Sequence, residues 1–252
     1  MAVIKAGADA LFIDTAHGLS KGVIAMVKLL KNDKRFNKID IVAGNVGTAE
    51  GAQALIKAGA DAVKVGIGPG SICTTRVVTG IGVPQLTAVM EAVKVAKKFN
   101  TPIIADGGIN YSGDIVKALA VGASAVMIGR LFAATREAPG TVVTIGGKKF
   151  KRYRGMGSVE AMQRGSKDRY GQAEASTKQL VPEGVAGLVP YAGPLAEYVE
   201  QMIGGIKGGC VYIGARNLRE LTKKAKFVQI TQASLRENHP HDLADFKRNV
   251  NY

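Results

Sequence analysis

The feature that most constrains this chain is a repeated turn. KAGADA occurs at 5–10 and again at 57–62, and AVGASA stands at 120–125. Each copy separates a helix-like stretch from an apolar run: LFID, VKVG and VMIG in turn. In each, the glycine can close a helix in the left-handed conformation, and the small residues after it let the chain turn into a buried strand. Two further apolar runs, IDIVAGNV (39–46) and PIIADGG (102–108), follow helical segments without that signature. The pattern predicts five strands, near 10–14, 39–44, 62–66, 102–106 and 124–128, with helices at 20–31, 48–58, 84–99 and 112–121. Strands apolar throughout and alternating with helices predict a parallel sheet covered by helices. Four of the five end in a Gly- or Asp-bearing turn (IDTAHG, AGNVGT, VGIGPGS, ADGG), and in parallel barrels that end carries the active site. A doubly wound sheet is the competing fold, but the first strand lacks a G-x-G-x-x-G turn into a helix.

With 252 residues, 46% of them hydrophobic, the chain can bury the core of one large α/β domain spanning 1–252. After residue 130 the pattern changes. IGGKKFKRYRGMGS reads as a hairpin, and 158–190 is polar and Gly-rich with little periodicity, so 141–192 is expected to be a finger or flap excursion. Helices are expected at 194–207 and 217–224 and a short strand at 227–231, before a charged, poorly ordered tail from 232. No apolar stretch is long enough to span a bilayer and no cleaved leader is visible, so a cytoplasmic protein is expected. Two cysteines build no disulfide framework and fit a reducing compartment. The net charge of +14 suits anionic ligands, but the basic residues are scattered and not interleaved with aromatics, which makes nucleic acid a weak expectation.

The densest chemical motif is GIGPGSICTTR, Gly66 to Arg76. Its glycines bring backbone N–H groups toward an anion, Ser71 adds a hydroxyl, and Cys73 follows directly, where exposed amides favour a thiolate. Such a thiol can add to an electrophilic carbon while the loop holds the ligand's phosphate. The plainer reading is a buried structural thiol, which is the one taken for Cys210. ADGGINYSGD places Asp106 at a strand end, able to accept both hydroxyls of a ribose, with Gly107 and Gly108 facing a phosphate; simple helix capping is the alternative. IDTAHG offers Asp14 and His17, the histidine carrying little weight alone. GMGS, with Gly155, Met156 and Gly157, is small and close-fitting, Tyr153 can offer a hydroxyl to a phosphate, and Arg169 and Tyr170 sit in the polar flap as a candidate anion clamp. Together these predict a nucleotide site at a barrel mouth, with a cysteine nucleophile and a mobile cover.

The run VGIGPGSICTTRVVTGIGVPQLTAV resembles the cysteine-loop signature of the IMP dehydrogenases and the related GMP reductases. IDTAHG, AGNVGT, IADGGINYSGDIVKALA, YRGMGS, GSKDRY and VPEGV occur in the family's order across essentially the whole chain. The KDRY flap and the RGMGS–VPEG arrangement look like the dehydrogenase. The resemblance implies a TIM (β/α)8 barrel and NAD-dependent oxidation of IMP to xanthosine monophosphate through a covalent adduct on Cys73. The flap then closes into the vacated cofactor site and activates water. Arg169 is the family's proposed base, and Thr75 with Glu183 offers another proton route. By position, Ser71, Gly108, Gly129 and Tyr153 contact phosphate, Asp106 the ribose, and Met156, Gly157 and Glu183 the base. Asp14, Asn45 and Gly66 lie on the cofactor side. A potassium ion is implied on carbonyl oxygens of Gly68, Gly70 and Cys73. Glu237, Asn238 and His239 of a neighbouring subunit would complete it, in a homotetramer.

Against that pattern the chain shows only about the last five of the eight barrel strands and no paired regulatory module, so it is expected to be inactive and aggregation-prone alone. Arg130 stands where the family has Ser or Gly, and it could bond a phosphate or crowd it. GGCVYIGA also departs from the family pattern, as drift would produce. GMP reductase is the enzymatic alternative; a nucleotide- or RNA-binding remnant without catalysis is the alternative of another class.

Overall fold

The computed structural model describes residues 2–243. In chain order its first half runs α1 (Ala2–Lys5), β1 (Ala10–Asp14), α2 (Lys21–Asn32), β2 (Asp40–Val46), α3 (Ala49–Ala58), β3 (Ala62–Val65), α4 (Thr75–Thr79), α5 (Gln85–Ala96), β4 (Ile103–Asp106), α6 (Ser112–Ala120) and β5 (Ala125–Met127). The second half comprises α7 (Arg130–Ala133), β6 (Val142–Ile145), β7 (Lys148–Arg154), α8 (Val159–Met162), β8 (Ala186–Pro190), α9 (Leu195–Ile213), α10 (Leu218–Lys224) and α11 (Gln232–Glu237).

The repeat behaves as its chemistry requires. Gly7, Gly59 and Gly122 have φ of 85°, 106° and 110°, a region costly for any side chain, and each turns the chain from a helix into a strand. At the opposite ends, the Ser20 and Thr48 hydroxyls accept the amides of Val23 and Gly51 and so start α2 and α3. The five strands form one parallel sheet in sequence order, in the register Ala10↔Asp40, Val42↔Ala62, Val63↔Ile103 and Ile104↔Ala125. Among the described residues β1 and β5 each have a single neighbour, so the sheet is open there.

Two apolar clusters hold it. Ile41, Val63 and Val65 on the sheet pack against Val27, Leu55 and Val89 of the covering helices. Ile115 and Leu119 of α6 pack with Tyr198, Met202 and Leu221 from α9 and α10. Each fully buried aliphatic side chain of this kind contributes about 1.5–3 kcal/mol.

Four expectations are corrected. The segment 227–231 is not a strand: it has no ladder partner among the described residues, and Phe227 and Val228 are exposed. The helix expected to stop at 207 continues through the glycine run to Ile213, because Gly205 and Gly209 fit closely against Ser112 and Val116 of α6. The tail is helical over Gln232–Glu237, started by Thr231, while its part beyond 243 lies outside the described residues. The stretch 158–190 is also not wholly irregular, since β8 pairs with β7 and completes a three-stranded antiparallel sheet with the expected hairpin. Among the described residues no helix is long and apolar enough to cross a membrane.

Candidate active site

The ends of β1 to β4 converge on a cleft of about 260 Å³, roofed by the segments around Gly155, Arg169 and Glu183. Two larger cavities, near 940 and 1000 Å³, lie along α9 and against the β6–β7 hairpin, and neither gathers a cysteine or a strand-end carboxylate. Chemistry, not volume, selects the smaller cleft.

Cys73 is a half-buried free thiol in the loop between β3 and α4. Its backbone pairs with Gly184 across an isolated bridge, and the Thr74 amide donates to the Glu183 carbonyl at 3.0 Å, so this loop and the 183–185 segment are stitched together. The Cys73 thiol donates to Thr75 Oγ1 at 3.1 Å, and that hydroxyl donates to Glu183 Oε2 at 2.8 Å. Sulfur, hydroxyl and carboxylate therefore form a continuous proton path. Gly157 has no room for a side chain: a Cβ there would stand 2.9 Å from the Tyr170 hydroxyl. Gly155, Met156 and Tyr170 also line the cleft, and burial pushes the Tyr170 phenol up.

On the far side Arg169 reaches back to β1, its Nη1 bonding the Asp14 carbonyl at 2.7 Å and Asp14 Oδ2 at 2.9 Å. Burial alone would raise the Asp14 carboxyl. Hydrogen bonds from Arg169 and Lys64, with their charges, overcome this and hold it below the usual carboxylate range. The same pairing outweighs burial for Arg169 and raises its guanidinium, so in this position it is firmly a cation. Past Arg169 the cleft leads to a second cavity of about 460 Å³, lined by Arg154 and Arg164 among others.

Asp106 Oδ2 accepts Asn45 Nδ2 at 2.9 Å, and the same amide donates to the Gly66 carbonyl at 2.8 Å. Gly66 is obligatory there, since a Cβ would lie 2.1 Å from the Asp106 carbonyl oxygen. Gly68, Gly70 and Gly107 line the same wall.

The phosphate set assembles less completely. Tyr153 lines the cleft, and its hydroxyl lies 2.7 Å from where a Gly129 Cβ would be. Burial, reinforced by Asp106, pushes this phenol up against the opposing charge of Arg130. Ser71 is exposed and outside the lining, and Gly108 packs on Gln85. Arg130 bonds Asn110 at 3.3 Å. Glu237, Asn238 and His239 close α11, away from the cleft, with the His239 ring 5.7 Å from that of Tyr111. His17 is exposed in its loop.

Sequence reasoning missed Lys64 and Gln85. Lys64 is 1% exposed in mid-strand, with Asn45 Oδ1 at 2.5 Å, Asp14 Oδ1 at 2.7 Å and Asp106 Oδ2 also in contact. A lysine inside the apolar run AVKVG was the available signal, because a charge buried there must be paired. Gln85 Nε2 ties the Val65 and Asp106 carbonyls together at 2.9 and 3.1 Å, and nothing in its local pattern announced this.

Known proteins resemble this chain over nearly its whole length. A model of the IMP dehydrogenase / GMP reductase domain matches residues 1–241. The chain is 58% identical over 252 residues to inosine-5′-monophosphate dehydrogenase of Aquifex aeolicus, covering 100% of itself and 51% of that protein. It is 57% identical over 250 residues to the enzyme of Rhodopirellula baltica, covering 99% of itself and 46% of that protein. A solved structure of Trypanosoma brucei GMP reductase C318A with guanosine 5′-monophosphate superposes with a TM-score of 0.88 at 47% identity, over 96% of this chain and 49% of that one. The chain thus spans about half the length of the curated relatives it matches, and its open sheet is an incomplete barrel of the TIM type. With a family model matched over nearly its whole length and relatives above 50% identity, the chain belongs to the IMP dehydrogenase / GMP reductase family, as part of its catalytic domain.

Proposed function

We propose that this chain carries the catalytic half of an IMP dehydrogenase, oxidising IMP to xanthosine monophosphate with NAD. The Cys73–Thr75–Glu183 path carries the reading. It offers the thiol proton a route to a carboxylate as sulfur bonds to C2 of the purine, and in reverse it can receive a proton from the water that later releases the product. Arg169, held cationic by Asp14, is poorly suited to be the base while docked there. Asp106 takes the ribose hydroxyls, Tyr153 and Gly129 the phosphate, and Met156, Gly157 and Glu183 the base. Ser71 and Gly108 join them only if their loops draw inward.

The Asp14 side fits a nicotinamide nucleotide: a carboxylate, the Asn45 amide and the Gly66 backbone line it, with two arginines in the adjoining cavity. When bound, NAD supplies the acceptor for the hydride from C2. Since Arg169 holds Asp14 here, binding requires the flap, within the 141–192 excursion, to withdraw. The Gly68, Gly70 and Cys73 carbonyls suit a potassium ion, a donor set of oxygens with no cluster of three His, Cys, Asp or Glu side chains among the described residues. Glu237, Asn238 and His239 of a neighbouring subunit complete it in the homotetramer we propose, working in the cytoplasm.

The test incubates the purified chain with IMP and NAD, following the near-ultraviolet absorbance of reduced nicotinamide beside a Cys73→Ala control. Product formation that vanishes in the control supports the reading. Absence of turnover, repeated with the remaining barrel strands supplied, refutes it. The trypanosomal likeness favours GMP reductase as the second reading; deamination of GMP with NADPH, and no xanthosine product, would establish that instead.

A further inference from the structure

Lys64 occupies a position that ordinarily rejects charge. It stands inside β3, and its register partner on β2 is Gly44, where a Cβ would come within 2.8 Å of the Lys64 Cβ. The missing side chain on β2 gives the lysine its path along the sheet to the cleft. A desolvated ammonium is tolerated only where its donors are met. Here they meet Asn45 Oδ1 on β2 and Asp106 Oδ2 on β4, and the charge also faces Asp14 Oδ1, 2.7 Å away at the end of β1. One cation thus touches the ends of three neighbouring strands from the fourth.

Its partners are divided in a regular way. Two carboxylates around one ammonium leave an excess negative charge, which Arg169 balances on the other Asp14 oxygen, Oδ2, at 2.9 Å. Asp106 has Oδ2 taken by both Lys64 and Asn45, while its Oδ1 has no hydrogen bond to the described residues and borders the cleft. In each carboxylate, one oxygen faces Lys64 and the other faces away from it, toward Arg169 in Asp14 and toward the cleft side in Asp106.

We propose that Lys64 is a positioning residue that assigns the two carboxylates their separate tasks: Asp106 to receive a ligand's ribose hydroxyls, and Asp14 to receive the flap through Arg169. The Asp106 half rests on the ribose reading given above; the Asp14 half stands on contacts within the chain. The charged groups facing Asp14 are Lys64 from β3 and Arg169 from the 166–170 turn, with Asp106 beyond Lys64 on β4; Asn45 on β2 is neutral.

The test uses the full chain with aspartate carboxyl carbons labelled for NMR, assigned through Asp14→Asn and Asp106→Asn. In Lys64→Met, a neutral side chain of similar length, the Asp14 titration should move upward by about 1–3 pH units, and Lys64→Arg should keep it low. Lys64→Gln replaces Met if that variant does not fold. An Asp14 titration unmoved in Lys64→Met or Lys64→Gln overturns the proposal. In parallel, binding of IMP and of its 2′-deoxy analogue is compared. The wild-type chain should prefer the ribonucleotide by about tenfold or more, from hydrogen bonds to a charged acceptor. That preference should collapse in Lys64→Met and return in Lys64→Arg; its survival in Lys64→Met overturns the Asp106 half. If the wild-type chain does not distinguish the two nucleotides, it is the ribose reading of Asp106 that fails, and the carboxyl titration alone decides the role of Lys64.

Discussion

Helix α9 contains four glycines that should respond to the same substitution with opposite signs. At Gly204 and Gly208 an added Cβ meets nothing within 4 Å. At Gly205 it would lie 2.2 Å from Ser112 Oγ and 2.4 Å from Ser112 Cβ, and at Gly209 it would lie 2.7 Å from Val116 Cγ1. The open pair gains only helix propensity, about 0.8–1 kcal/mol per Gly→Ala change. The closed pair gains the same but must also push α6 away. Ordinary carbon contact begins near 3.5 Å, so the Gly205→Ala overlap exceeds about 1 Å, and rotating the serine hydroxyl relieves only part of it. Val116 is β-branched and has little rotamer freedom in a helix. Overpacking of this kind costs about 1–3 kcal/mol, which leaves each closed-site variant about 0–2 kcal/mol less stable. Urea unfolding of the four single variants measures this directly, with unchanged slopes showing that only stability moved. Gly204→Ala with Gly208→Ala should raise the melting temperature by roughly 3–8 °C for a chain of this size, while Gly205→Ala and Gly209→Ala should not raise it. Four shifts of one sign would refute the packing argument.

Other outcomes follow from the site. Glu183→Gln and Thr75→Ala should each slow turnover by about 10²–10⁴-fold in pre-steady-state and steady-state assays, while Cys73→Ala abolishes it; a Glu183→Gln rate within a few-fold of wild type removes the proton path. Asp14 is held below its ordinary value, so its stabilising pairs are fully present above the unfolded carboxyl range and are lost as pH falls through the folded value. Hydrogen exchange at the Ala16 amide, which donates to the Arg169 carbonyl at 3.3 Å, should rise relative to other protected amides as pH drops below about 4, and Asp14→Asn should remove that step. Arg130→Ser should weaken IMP binding while leaving inosine unaffected if the guanidinium meets the phosphate; stronger IMP binding in this variant shows that it crowds the anion.

The sheet was legible because its signals are local. The glycine of each repeat copy dictates a left-handed turn, and the apolar runs between helices have no other use than a covered parallel strand. The helix ends were less so: a run of glycines weakens a helix on propensity alone, and only the proximity of α6, invisible in one dimension, explains why α9 continues through it. FVQIT has strand composition but no neighbouring strand among the described residues to pair with, and pairing is a property of the fold. The strand-end and cysteine-loop residues that line the cleft were legible because turn chemistry marks them. Gln85 was not, since its role is to bridge two carbonyls brought together by the sheet. Lys64 was readable in principle, as a charge in a run of aliphatic residues, but its three partners come from three other strands.

The open sheet also makes concentration an experimental variable. β1 and β5 each present a row of backbone donors and acceptors to whatever lies beside them, with Phe12 and Met127 exposed on those strands. Two such edges on one molecule permit end-to-end growth as well as closed pairing. A ligand titration at a single protein concentration would then mix binding with self-association. Varying protein and ligand independently separates them: a midpoint that drifts with dilution at fixed ligand reports the edges, and one that does not reports the cleft.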